Sequence, residues 1–169
     1  GLRTFSDYWH ANLHFAPGQR TLMLLPLNHI FGICVTYTML AHGVALGVCP
    51  DFRRIYEAVE RFRADFLFLV PALAELLADK IAQKGRTVEE AGLSLRWIVV
   101  GGAPLSSRGY LKLTTLGIQP LGGYGLTETA PLITFAHQDN YVPGSCGVAV
   151  KHMEVKVLSD DPENVAGEL

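Results

Sequence analysis

Between Arg20 and Asp51 the chain carries no Lys, Arg, Asp or Glu, and residues 30–49 are nearly all apolar. A stretch of this kind either crosses a membrane or is buried on every side, and length separates the two. A spanning helix takes about 20 uninterrupted apolar residues. Here Pro26 and Pro50 bracket the run and His42-Gly43 punctuates it. The run therefore divides into a buried helix over 30–41 and a buried strand over 44–48. No transmembrane segment is expected.

Continuously apolar runs recur at 21–25, 66–70, 97–100 and 118–121, and strands covered on both faces have this character. Helical patterns lie between them. Ile55, Val59 and Phe62 share one face over 53–63. Pro71 suits a first helical turn, Leu73, Leu76, Leu77 and Ile81 form the stripe behind it, and Gly85 is a stop. Strand and helix in alternation predict an α/β fold: a doubly wound, mostly parallel sheet with helices on both faces. Ligands of such sheets collect beyond the carboxyl ends of the strands, so the loops at 28–32, 101–104 and 122–129 are the candidates. Near Pro143 the texture changes. Met153, Val155 and Val157 alternate over 152–158, which predicts a strand of another sheet. The expected units are 1–142, an α/β subdomain, and 143–169, the start of a β-rich one.

Composition narrows the partners. Hydrophobic residues at 49% and charged residues at 18% describe a core-rich globular chain. A net charge of −2, with fourteen scattered Lys and Arg, argues against nucleic acid and against an anionic membrane surface. Cys34, Cys49 and Cys146 are odd in number and lack zinc-ligand spacing, as free thiols of a reducing compartment would. With no signal-peptide pattern, a cytoplasmic location is expected.

The run Gly122-Gly123-Tyr124-Gly125-Leu126-Thr127-Glu128-Thr129 places three glycines, an aromatic ring, hydroxyls and a carboxylate in eight residues. Glycines let backbone approach a ligand and adopt positive φ. Tyr124 offers a face to a nucleobase, and Thr127 a donor to a phosphate oxygen. Glu128 would repel phosphate unless a cation lay between, which points to Mg²⁺. The competing explanation is a strand-to-helix turn capped by Thr127 or Glu128. A dinucleotide fingerprint fits poorly, because its third glycine would fall at Glu128. A serine-hydrolase elbow is absent around Ser106, Ser107 and Ser145, and Ser106 reads as a helix cap.

The segment Gly123-Tyr124-Gly125-Leu126-Thr127-Glu128-Thr129 closely resembles the signature of adenylate-forming (AMP-binding) enzymes. Three further segments resemble family elements in the same order: Pro26-Leu27-Asn28-His29-Ile30-Phe31-Gly32, Val99-Val100-Gly101-Gly102-Ala103-Pro104-Leu105, and Pro143-Gly144-Ser145-Cys146-Gly147 followed by Gly167-Glu168-Leu169. The resemblance implies that Gly102, Ala103 and Pro104 line the adenine with Tyr124 on its other face. Gly123 and Gly125 complete that loop, Thr127 contacts phosphates and Glu128 holds Mg²⁺. It places His29 beside the acyl carboxylate, with Phe31 and Gly123 shaping the acyl channel; on its own His29 reads as a packed or solvated residue. The implied substrates are ATP, a carboxylic acid and CoA. Leu126 and the Ala-Pro that follows Thr129 look most like medium- to long-chain fatty acyl-CoA synthetases.

The same resemblance implies that the chain is an internal piece of a large N-terminal domain. The phosphate loop would lie upstream, and the ribose-binding aspartate and the C-terminal lysine domain downstream. The piece alone is expected to be inactive. Peripheral membrane association of the whole protein fits this reading as well. A non-catalytic nucleotide-binding or interaction module, or an adenylation domain loading a carrier protein, are the alternatives.

Overall fold

A computed structural model describes residues 2–136, 142, 144–151 and 153–161. Its elements are α1 (Leu2–Leu13), β1 (Arg20–Met23), α2 (Ile30–Ala41), β2 (Ala45–Val48), α3 (Ile55–Phe62), β3 (Phe66–Leu69), α4 (Pro71–Ala82), β4 (Trp97–Val100), α5 (Ser107–Thr115), β5 (Gln119–Tyr124), β6 (Thr134–Phe135) and β7 (Val148–Ala149). The charge-free run resolves as a helix and a strand, but it is not buried on every side: Ile33, Tyr37 and Leu40 of α2 are exposed, and β2 is an edge strand whose Val48 is exposed. Among the described residues no helix is long and apolar enough to cross a membrane.

Strands β1 and β2 pair in parallel, as do β3 with β4 and β4 with β5. The two sets meet at β1 and β3. The Asp65 amide donates to the Arg20 carbonyl (2.9 Å), and the buried Thr21 hydroxyl donates to the Phe66 carbonyl (2.8 Å). The resulting spatial order is 2-1-3-4-5, a doubly wound α/β arrangement. Strands β6 and β7 continue it antiparallel. Pro120 sits in β5 opposite Ile98. This is tolerated because β6 reaches only Gly123 and Tyr124, so near Pro120 the strand is paired on one side.

Helices cover both faces, and the strands write one core for each. Leu67, Leu69, Ile98 and Val100 face α3, α4 and α5; Phe66, Phe68, Trp97 and Val99 face α1 and α2. All of these side chains are buried. Local signals set the helix ends. Pro71 begins α4. The Ser106 hydroxyl accepts from the Gly109 amide at 3.0 Å, so this serine is the cap of α5.

The strand expected over 152–158 is not found among the described residues. His152 lies outside the described residues, as do Pro143 and Gly167-Glu168-Leu169. Between 153 and 157 no strand forms, and Leu158 makes an isolated bridge. Met153 and Val155 are both exposed. Alternation alone does not hold a strand whose backbone has no neighbour among the described residues. Val148–Ala149 instead joins the edge of the main sheet beside β6. Gly147, at φ 86°, allows that approach, since a Cβ there would overlap the Phe135 backbone.

Candidate functional site

The loops leaving β1, β4 and β5 at their carboxyl ends surround one cavity of about 290 Å³. His29, Gly102, Gly123, Tyr124, Gly125, Thr127 and Glu128 all line it. The separate segments singled out in the sequence thus meet in one place. Ala103 and Pro104 do not line it. They follow the left-handed turn at Gly102 (φ 82°) and stand exposed on the loop beyond.

Glycine works differently here than the sequence suggested. Gly122, Gly123 and Gly125 keep ordinary φ; Gly102 is the left-handed glycine of the site. A Cβ on Gly123 would lie 2.6 Å from the Thr134 carbonyl oxygen, and one on Gly125 would overlap the Pro131 carbonyl. These glycines let the chain fold back on itself after β5. Gly101 has a related task, since its Cβ would press to 2.9 Å on the Phe31 ring. Phe31 is thereby seated over the end of β4, which ties the His29 loop to the Gly102 loop.

The rim is polar. After Tyr124 the described residues make a single 3₁₀ turn, Thr127–Thr129, and no α-helix. The cap of that turn is Thr129, whose hydroxyl accepts from the Leu126 amide and donates to the Leu126 carbonyl, each at 2.9 Å. Capping by Thr127 or Glu128 is therefore not what the loop uses. Both side chains stand exposed, with no protein hydrogen bond or ion pair among the described residues. A dinucleotide fingerprint also loses its basis, because the helix N-terminus that should receive the pyrophosphate is missing. Ser106 and Ser145 are engaged in a helix cap and a turn, Ser145 accepting from the Gly147 amide at 3.0 Å.

His29 caps α2 through its own ring: Nδ1 accepts from the Phe31 amide at 3.2 Å. A neutral imidazole whose Nδ1 accepts carries its proton on Nε2, so His29 holds a donor at the cavity. No group of three or more His, Cys, Asp or Glu among the described residues could enclose a metal. Glu128 alone suits a hard cation that keeps waters and takes phosphate oxygens, as Mg²⁺ does.

The floor is apolar. Trp9, Phe31, Val99, Leu132 and Phe135 form it. Trp9 is 1% exposed, stacks on Phe68 with centroids 4.8 Å apart, and meets Phe31 edge-on at 6.2 Å. Trp9 lies in α1, ahead of the first strand expected from the sequence, and is not among the candidate residues named there. The signal was present, since Phe5, Trp9 and Leu13 recur at i, i+4 and i+8 along one helix face.

An open α/β sheet with a cavity beyond its strand ends, an apolar floor and a rim of free carboxylate and hydroxyl is a ligand-binding site of the doubly wound class. The particular family follows from relatedness. Residues 2–169 match the AMP-binding enzyme family, and the chain belongs to it. It is 33% identical to 4-coumarate–CoA ligase 2 of Oryza sativa subsp. japonica, over all of this chain and 32% of the relative. An acyl-CoA ligase of Dothideomycetidae sp. is 31% identical over 86% of this chain and 26% of its own length. Among solved structures, apo MatB from Rhodopseudomonas palustris superposes with a TM-score of 0.80 at 25% identity, covering 99% of this chain and 33% of that one. The N-terminal domain of FACL13 from Mycobacterium tuberculosis gives 0.77 at 22% identity, covering 95% and 40%. The chain thus spans between a quarter and a third of the curated relatives it matches.

Proposed function

We propose that this chain supplies one wall of the active site of an AMP-forming acid–CoA ligase, which activates a carboxylic acid as its acyl-adenylate and passes the acyl group to the CoA thiol. The observation that carries the proposal is the free Glu128 carboxylate and Thr127 hydroxyl at the mouth of a cavity that His29 also lines. Attack of a carboxylate on the α-phosphate of ATP brings anion to anion, and it needs charge neutralisation aimed at the transition state. Mg²⁺ held by Glu128 would supply that neutralisation. Thr127 donates to a phosphate oxygen. Tyr124 offers its ring to the adenine, with Gly102 leaving room on the other side. His29 directs its Nε2 proton at the acid's carboxylate and holds it in place.

Two kinds of acid suit this reading. The glycine loop resembles fatty acyl-CoA synthetases, whereas relatives 33% and 34% identical over nearly all of this chain are 4-coumarate–CoA ligases. A cytoplasmic setting belongs to the same proposal and is supported by the free thiols Cys34, Cys49 and Cys146. The test is pyrophosphate exchange into ATP by the full-length protein across a panel of carboxylic acids. Acid-dependent exchange supports the reading. Nucleotide binding without exchange for any acid would favour a non-catalytic module.

A further inference from the structure

Thr129 ends the glycine loop but does not line the cavity that His29, Thr127 and Glu128 share. Its hydroxyl closes on Leu126, accepting from the Leu126 amide and donating to the Leu126 carbonyl, each at 2.9 Å. The Thr129 amide donates to the same carbonyl at 3.1 Å, and the Ala130 amide to the Thr127 carbonyl at 3.3 Å. These bonds close the backbone around Thr127 and Glu128. Ala130 then enters the left-handed region at φ 53°, which an alanine keeps only where its surroundings hold it. Beyond it the Pro131 carbonyl passes against Gly125, and the Ile133 amide donates to the Tyr124 carbonyl at 2.8 Å. The loop is thus tied at its base between β5 and β6 and clipped at its tip by one hydroxyl. Packing does little to fix that tip, because Leu126, Thr127 and Glu128 are all exposed. A side-chain hydrogen bond to backbone is what gives such a turn a single conformation.

We infer that Thr129 is a positioning residue of this site: its hydroxyl fixes the turn that presents the Glu128 carboxylate and the Thr127 hydroxyl together, and so sets how tightly a divalent cation and a phosphate chain are held. The inference rests on the nucleotide reading of the loop and adds to it a residue that acts through the backbone. A carboxylate and a hydroxyl on an unclipped turn would have to be ordered each time ligand binds, and that ordering weakens binding. The hydroxyl is at issue and not the bulk of the side chain. Valine has the branched shape of threonine without its donor or acceptor, and serine keeps the hydroxyl without the methyl.

The experiment is calorimetric titration of the full-length protein with ATP, in Mg²⁺ and in EDTA, together with hydrogen exchange at the Leu126 amide. In Mg²⁺, Thr129→Val and the smaller Thr129→Ala should each weaken ATP binding by about tenfold or more, the scale of losing a group that orients a metal ligand. Thr129→Ser, a cap at least as good as threonine, should stay within about twofold of the wild type. The Leu126 amide should be protected in the wild type and in Thr129→Ser, and should exchange faster in the other two. In EDTA the loss of affinity should shrink. Unchanged affinity in Mg²⁺ for a folded Thr129→Val or Thr129→Ala protein would overturn the inference. So would a loss of the same size in EDTA, which marks general damage to the site, or a serine variant as weak as the valine one. Mg²⁺-dependent binding that Glu128→Ala abolishes and Thr129→Val leaves intact overturns the role of Thr129 alone. Absence of Mg²⁺-dependent ATP binding by the wild type would sink the nucleotide reading, and the role of Thr129 with it.

Discussion

The two faces of the sheet are built from different side chains. Toward α3, α4 and α5 the core is aliphatic, with Leu67, Leu69, Ile98 and Val100 packed on Val59, Leu77 and Ile81. Toward α1 and α2 it is aromatic, with Phe66, Phe68 and Trp97 packed on Phe5, Trp9 and Phe15. The run Phe66-Leu67-Phe68-Leu69 holds both patterns in four residues, one on each side of the pleat. The aromatic side supplies most of the core residues that line the cavity, Trp9, Phe31, Val99 and Phe135, and the aliphatic side supplies Val100. One face supports the sheet; the other supports it and also shapes what the site accepts.

Substitutions on the two faces separate these tasks. Phe68→Ala should cost about 3–5 kcal/mol of stability and also change KM for the acid, because the ring beneath Trp9 is gone. Leu77→Ala, fully buried on the opposite side, should cost about 2–5 kcal/mol and leave the preference among acids unchanged. Thermal unfolding and acid KM values of the full-length protein check both. Equal effects on acid preference would break the distinction between the faces. Ser106→Ala should cost about 1 kcal/mol through loss of the α5 cap, and the Ser106–Glu75 hydrogen bond (2.8 Å) goes with it. Acid preference should not move.

The smallest effect concerns how α1 is held. His10 stacks on His42 at 4.0 Å, and the Ser6 hydroxyl shares a hydrogen bond with His42 Nε2 at 3.2 Å. Burial lowers the His42 pKa below its usual value, the charge of His10 adds to this, and Asp7 and the Ser6 backbone oppose it. A lowered histidine leaves the unfolded chain binding more protons than the folded one as pH falls below about 6.5. The stabilisation is therefore complete above that pH and is lost on acidification toward the folded value. Midpoints of thermal unfolding between pH 8 and 5 should decline on the acid side, and less steeply in His10→Gln. A steeper decline in that variant would contradict the account.

The fold was legible where long apolar runs left little choice of element, although α2 buries only one face and exposes Ile33, Tyr37 and Leu40 on the other. Residues 97–100 and 30–41 form the strand and helix expected of them, and β5 runs beyond 121 because Gly122 and Gly123 continue the pairing with β4 and β6. Strands β6 and β7, two residues each, are too short to leave a pattern. The site was legible as a set of loops but not as a shape. Composition names Thr127 and Glu128, yet only the structure shows that Thr129 makes the cap and frees both. Gly123 and Gly125, which line the cavity, are also places where Thr134 and Pro131 pass close to the backbone. Trp9 reads as any core residue of an amphipathic helix until the cavity above it is seen.

Glu128 gives the most direct test. In the full-length protein Glu128→Ala should lower acid-dependent pyrophosphate exchange by about 100-fold or more, the scale of losing one preorganised electrostatic group. It should also change the Mg²⁺ concentration required, while leaving the unfolding midpoint near that of the wild type. An exchange rate and Mg²⁺ dependence equal to the wild type would contradict the role assigned to that carboxylate, and with it the reading of this loop.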